Sequence, residues 1–243
     1  MTLSHVSHGS GPALLLLHST VCDRRMWDPL TFPAHRAIAC DLPGYGDSPV
    51  PSSPLDVAAE ALELAGDGPV TLIGSSGGGM VALEIAARWP SRVSALALLC
   101  TAAPTLVPTS RLRSIWDQEN ALLEAGDVDG ASALMLASFV GPLATDEVRA
   151  FIGEMQRHAY EVQLAAGDVE ELETEWSPDS ITAPTLLLTG AHDLPEFHTV
   201  AAGLAVRLPA ARHVELEWAG HLPSLEDPPA VNRLLLDFLA APR

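Results

Sequence analysis

The chain has 243 residues, 48% of them hydrophobic, enough for one large core, and a formal charge of −18. That charge argues against nucleic acid and anionic membrane surfaces as partners, because both would be repelled. All thirteen basic side chains are arginine, which removes Schiff-base and lysine general-base chemistry, and Cys22, Cys40 and Cys100 are too widely spaced to suggest a disulfide framework or a zinc motif.

The N-terminal region has no basic stretch ahead of an apolar one, and the longest apolar runs, 13–17 and 95–100, are too short to cross a bilayer. A cytoplasmic location is therefore expected. Strand-like runs at 2–8, 13–18 and 36–41 come first. The next, 70–74, leads into Gly74-Ser75-Ser76-Gly77-Gly78, a G-x-S-x-G pentad, and a helical stretch over 80–89 follows and stops at Pro90. A serine between a strand and a helix, with glycines two residues either side, is the form of a nucleophile elbow. Its strained turn pushes the hydroxyl out of the sheet, and small neighbours let strand and helix approach.

A further strand is expected at 93–100, after which the alternation breaks. Residues 102–182 read as helices at 111–126, 129–140, 146–167 and 168–176, with Thr109 or Ser110, Asp127 and Thr145 as caps. Strand-like runs return at 184–190 and 213–219. Asp193 follows the first and His221 the second, the order in which an acid and a base should follow an elbow serine. His221 would take the proton from Ser76, and Asp193 would fix the imidazole tautomer. Glu196 is the weaker candidate acid, because it follows Pro195 and opens the next helix.

In these residues the chain resembles the α/β-hydrolase superfamily. Leu14-Leu15-Leu16-Leu17-His18-Ser19-Thr20 is similar to its strand and oxyanion loop, with Trp27 beyond. Asp41-Leu42-Pro43-Gly44-Tyr45-Gly46-Asp47-Ser48 matches its D-x-P-G-x-G-x-S turn, and Gly220-His221-Leu222-Pro223-Ser224-Leu225-Glu226-Asp227-Pro228 its histidine loop. The resemblance implies an α/β fold, with a mostly parallel sheet of about seven strands, the family's first strand missing, and helices on both faces. It also implies a core of residues 1–101 and 183–243 with a helical cap over 102–182.

The backbone N–H groups of Gly77 and Thr20 are the expected oxyanion donors, with the Thr20 hydroxyl as an alternative. Ser19 stands where the family usually has glycine, so it either adopts a strained backbone or reshapes the hole. His18 reads as loop-organising. Ser19, Cys22, Trp116, Phe139, His158 and Tyr160 are candidate pocket residues; Met135 and Met155 share the helical spacing, which more often marks core. No cofactor and no metal are expected.

Dehalogenases and epoxide hydrolases of this fold use an Asp at the elbow, so Ser76 points instead to acyl transfer through an acyl-enzyme. The compact size, the cap length and the His192-Asp193-Leu194-Pro195 loop resemble small bacterial carboxylesterases and enol-lactone hydrolases, which implies a small, largely apolar ester or lactone as substrate. A carbon–carbon bond hydrolase, or a non-hydrolytic receptor, lyase or cyclase, carries the same constellation.

Overall fold

The computed structural model describes residues 3–166, 172, 174–208 and 210–241. Seven strands form one sheet: β1 (His5–His8), β2 (Ala13–Leu17), β3 (Arg36–Cys40), β4 (Val70–Ser75), β5 (Val93–Leu99), β6 (Thr185–Gly190) and β7 (Ala211–Leu216). Their order is β1-β3-β2-β4-β5-β6-β7, with β1 antiparallel to β3 and every other pair parallel. Eight α-helices accompany them among the described residues: α1 (Val57–Glu63), α2 (Ser76–Arg88), α3 (Ser110–Glu124), α4 (Val128–Phe139), α5 (Asp146–Ala165), α6 (Pro195–Arg207), α7 (Pro223–Glu226) and α8 (Pro228–Ala240).

Central strands of a parallel sheet are apolar on both faces because helices cover both, and β2 shows this directly. Leu14 and Leu16 join a core with Met26, Trp27 and residues of α3, α4, α5 and α8, whereas Leu15 and Leu17 join a second core with α1, α2 and α6. The helices α3, α4 and α5 lie between β5 and β6 in the chain, α4 packing against both of its neighbours.

Several boundaries differ from the sequence expectation, each for a local reason. The helix after the pentad begins at Ser76 rather than Met80, because packing overrides the poor helix propensity of Gly77, Gly78 and Gly79. Helix α3 stops before Gly126, whose φ of +77° turns the chain back so that the Gly126 and Asp127 amides donate to Leu123 and Leu122. Strand β1 begins at His5, and β7 starts at Ala211 and ends at Leu216. The short helix α1, capped by the Asp56 carboxylate on the Ala59 amide, had no expectation of its own. Most of the helix expected over 168–176 lies outside the described residues, and Thr174, Glu175 and Trp176 within it are not helical.

Candidate active site

Ser76 sits where β4 gives way to α2, with φ of +51°. A left-handed backbone costs a non-glycine residue on the order of 1–3 kcal/mol, and persists only where its surroundings over-determine it. Here they do. A methyl group on Gly74 would lie 2.6 Å from the Gly78 carbonyl oxygen, and one on Gly78 2.4 Å from the Leu17 carbonyl oxygen, so neither glycine has room for a side chain. The Gly78 amide also donates to the His18 carbonyl at 3.1 Å, and the Ala102 amide to that of Ser76 at 3.0 Å.

Asp193 and His221 follow β6 and β7 at the same carboxyl-terminal edge of the sheet. His221 Nδ1 and Asp193 Oδ2 are 2.8 Å apart, and both side chains are buried. A carboxylate only accepts, so the proton is on Nδ1 and the Nε2 lone pair is free to act as a base. The other Asp193 oxygen accepts from the Leu194 amide at 2.7 Å. Glu196 does something else: its Oε1 accepts from the Thr109 amide at 2.9 Å, at the start of α3. No hydrogen bond joins Ser76 to His221 among the described residues; such bonds are often long before substrate binds.

Glu226 organises the histidine loop. One carboxylate oxygen accepts from the Gly220 amide at 2.8 Å, and the other from Leu222 and Gly141, each at 3.2 Å. The His221 amide in turn donates to the Phe139 carbonyl at 3.0 Å. The end of α4 and the histidine loop are thus tied together through backbone. Gly141 and Gly220 approach so closely that a methyl group on Gly141 would lie 2.5 Å from the Gly220 nitrogen. Sequence reasoning missed the role of Glu226 and that of Phe197, whose ring is 4.2 Å from the His221 imidazole. The position of Glu226 within the histidine loop was the available signal for the first.

His18 is fully buried, and its two nitrogens bridge the Ser19 carbonyl (Nδ1, 2.8 Å) and the Leu42 amide (Nε2, 2.8 Å). Nε2 must accept from the amide, so the ring is neutral, and burial lowers its pKa to match. Ser19 adopts no left-handed backbone: Ser76 and Cys100 are the non-glycine residues with positive φ among those described. The substitution for glycine is accommodated in an ordinary turn, whose amide faces the Met26 sulfur and whose carbonyl accepts from Cys22. Thr20 and Gly77 stand together, since a methyl group on Gly77 would meet Thr20 Cγ2 at 2.5 Å. Neither amide donates to an acceptor among the described residues. Both line a cavity of about 390 Å³ whose other walls include Leu42, Val57, Met80 and Val81.

Of the candidate pocket residues, Phe139 alone adjoins the histidine, its ring 4.9 Å from that of His221. Ser19 and Cys22 are buried in the loop and core beneath, and burial pushes the Cys22 thiol well up, away from any nucleophilic role. Trp116 is partly exposed on α3. Tyr160 is buried and donates to Glu119 Oε1 at 2.5 Å, a tie between α5 and α3. His158 contacts the Gly46 carbonyl at 3.0 Å and lines a separate charged cleft with Arg24, Arg25 and Glu154. Helical spacing alone does not say which face of α3 or α5 looks inward, so for Trp116, His158 and Tyr160 residue type was the only signal.

One group of three potential metal ligands converges among the described residues, Cys100, Asp193 and His221, with donor atoms within 4.8 Å. The Nδ1–Oδ2 hydrogen bond already uses two of them. Burial, and then the Asp193 charge, hold the Cys100 thiol protonated, so the group reads as a proton-holding cluster.

The model of the alpha/beta hydrolase family matches residues 14–234. The chain belongs to this family. It is 31% identical over 92% of its length to a pimeloyl-[acyl-carrier protein] methyl ester esterase of Neisseria meningitidis serogroup B, 91% of which is covered. A hydrolase from Pseudomonas aeruginosa PA01 superposes with a TM-score of 0.79 at 26% identity, covering 98% of this chain and 94% of that one. The enol-lactonase from Burkholderia xenovorans LB400 shares the fold, with a TM-score of 0.79 at 23% identity over 98% of this chain and 96% of its own. This alpha/beta hydrolase has no described helix long and apolar enough to cross a membrane.

Proposed function

We propose that the protein is a serine hydrolase that cleaves a small-molecule carboxylic ester or lactone through an acyl-enzyme. Ser76 Oγ attacks the carbonyl carbon while His221 Nε2 takes its proton, and Asp193 holds the imidazole in the needed tautomer and stabilises the imidazolium. The Thr20 and Gly77 amides, free of other acceptors, stabilise the oxyanion. Protonated His221 gives its proton to the leaving alkoxide, and a water activated by the same nitrogen then releases the acid. Residues 102–182 act as a cap over the core of residues 1–101 and 183–243, and exclude bulk water from the acyl site.

The observation that carries this reading is the buried Asp193–His221 hydrogen bond at the sheet edge where Ser76 is held at φ +51°. The esterase relative supports ester chemistry. The ordinary backbone of Ser19 means that its substitution for glycine puts no backbone strain into the oxyanion loop. Turnover of a simple aryl ester by Ser76→Ala should fall by roughly three orders of magnitude or more, since a triad acts as a unit. Turnover within about tenfold of the unmodified protein would contradict the mechanism.

A further inference from the structure

The cavity beside Thr20 and Gly77 lies on the opposite side of the nucleophile from the histidine. In the strand order β4, which delivers Ser76, has β6 and β7 on one side and β3 on the other. Asp193 and His221 follow β6 and β7, whereas the cavity is walled by the segment after β3 (Leu42, Val50, Leu55, Val57) and by Met80 and Val81 of α2. In acyl transfer the imidazolium must reach the leaving oxygen, so the leaving group occupies the His221 side of the tetrahedral carbon. With the oxyanion on Thr20 and Gly77, an acyl substituent directed away from His221 points to the side on which the cavity lies.

The chemistry of the walls is uneven. The near part is aliphatic. The far part carries Asp56 and Glu84, with side chains 28% and 18% exposed, and no cationic residue lines the cavity among the described residues. Arg88 lies behind both, donating to Asp56 at 2.6 and 2.8 Å and to Glu84 at 2.7 Å, and the Thr174 hydroxyl donates to Glu84 at 2.6 Å. Two carboxylates against one guanidinium leave a net negative end. At about 390 Å³ the cavity is near the lower end of ligand pockets, roughly 300–1,000 Å³.

Building on the ester-hydrolase reading, we infer that this cavity is the acyl pocket, and that it selects compact acyl groups that are neutral or carry a hydrogen-bond donor or cation at their end, against acyl chains ending in a carboxylate. Like charge at a partly buried end is the discriminating element.

The test is kcat/KM for aryl esters with one leaving group and four acyl groups, acetyl, butyryl, hexanoyl and the carboxylate-ended adipoyl, on the unmodified protein, Val81→Trp and Glu84→Gln. The unmodified protein should prefer hexanoyl to adipoyl by about tenfold or more, and Val81→Trp should lower the hexanoyl-to-acetyl ratio by a similar factor. Glu84→Gln should narrow the hexanoyl-to-adipoyl gap by about threefold or more. Met80→Trp, at a partly exposed position, replaces Val81→Trp if that variant does not fold. An unchanged acyl ratio in a folded filling variant or a preference for adipoyl would overturn the assignment. If the unmodified protein neither hydrolyses any ester nor reacts with a fluorophosphonate, it is the hydrolase reading that fails. Calorimetric binding of hexanamide then decides the cavity: binding lost on filling retains it as a ligand site, and no binding to the unmodified protein overturns it.

Discussion

Asp193 and Glu196 lie three residues apart, and their surroundings separate them. Asp193 meets His221 at 2.8 Å, while Glu196 meets the Thr109 amide at the start of α3. Asp193→Asn should therefore lower ester turnover on the order of 10³–10⁴-fold, because an amide favours the wrong tautomer, whereas Glu196→Gln should keep turnover and lose some thermal stability. Steady-state kinetics of both variants checks this, and loss of turnover in the second alone would reverse the assignment. His18 gives a second test. Burial places its folded pKa below the usual 6.5, so below that pH the unfolded chain binds more protons than the folded one. The contribution of His18 is present above 6.5 and is lost as pH falls through the lowered folded value. The drop in Tm between about pH 7 and about pH 5 should be smaller in His18→Gln than in the unmodified protein, and equal drops would mean that His18 is not the group responsible.

The elements show where the sequence was legible. The pentad, the acid loop and the histidine loop each follow a strand, and position relative to a strand end is local information: three residues far apart in the chain could be named because each sits at a local landmark. Pocket residues have no such landmark. His158 and Tyr160 lie two residues apart on α5, yet one faces a charged cleft and the other the half-buried Glu119 carboxylate. Which face of an inserted helix meets the core depends on packing between α3, α4, α5 and the loop of residues 20–32, and those contacts are not written in periodicity. Ser76 to Gly79 illustrate the converse, a glycine-rich start that propensity disfavours and close packing against Leu17, His18 and Thr101 imposes. The junction of α4 with the histidine loop is the most tightly constrained of these contacts. Gly141→Ala would set a methyl group 2.5 Å from the Gly220 nitrogen, and Glu226 would have to give up its place. Turnover should fall by about tenfold or more, since displacements near 1 Å at a reacting group are costly. Circular dichroism alongside kinetics separates this from unfolding, and a folded Gly141→Ala variant with full activity would show that the junction does not position His221.

At the scale of the whole molecule, a charge of −18 with no lysine makes the surface self-repelling. Screening should relieve this, so Tm should rise between about 20 and about 200 mM NaCl, and a fall would mean that the ion pairs of Arg24, Arg25 and Arg88 outweigh the repulsion. The same charge disfavours an acidic macromolecule as a partner. All of this depends on Ser76 being an activated nucleophile, which labelling with a fluorophosphonate and mass spectrometry of the peptides tests most directly. A single adduct on Ser76, absent from Ser76→Ala and formed far more slowly in His221→Ala, is the predicted result. A folded protein that stays unlabelled, or carries the adduct on another residue, would contradict the account.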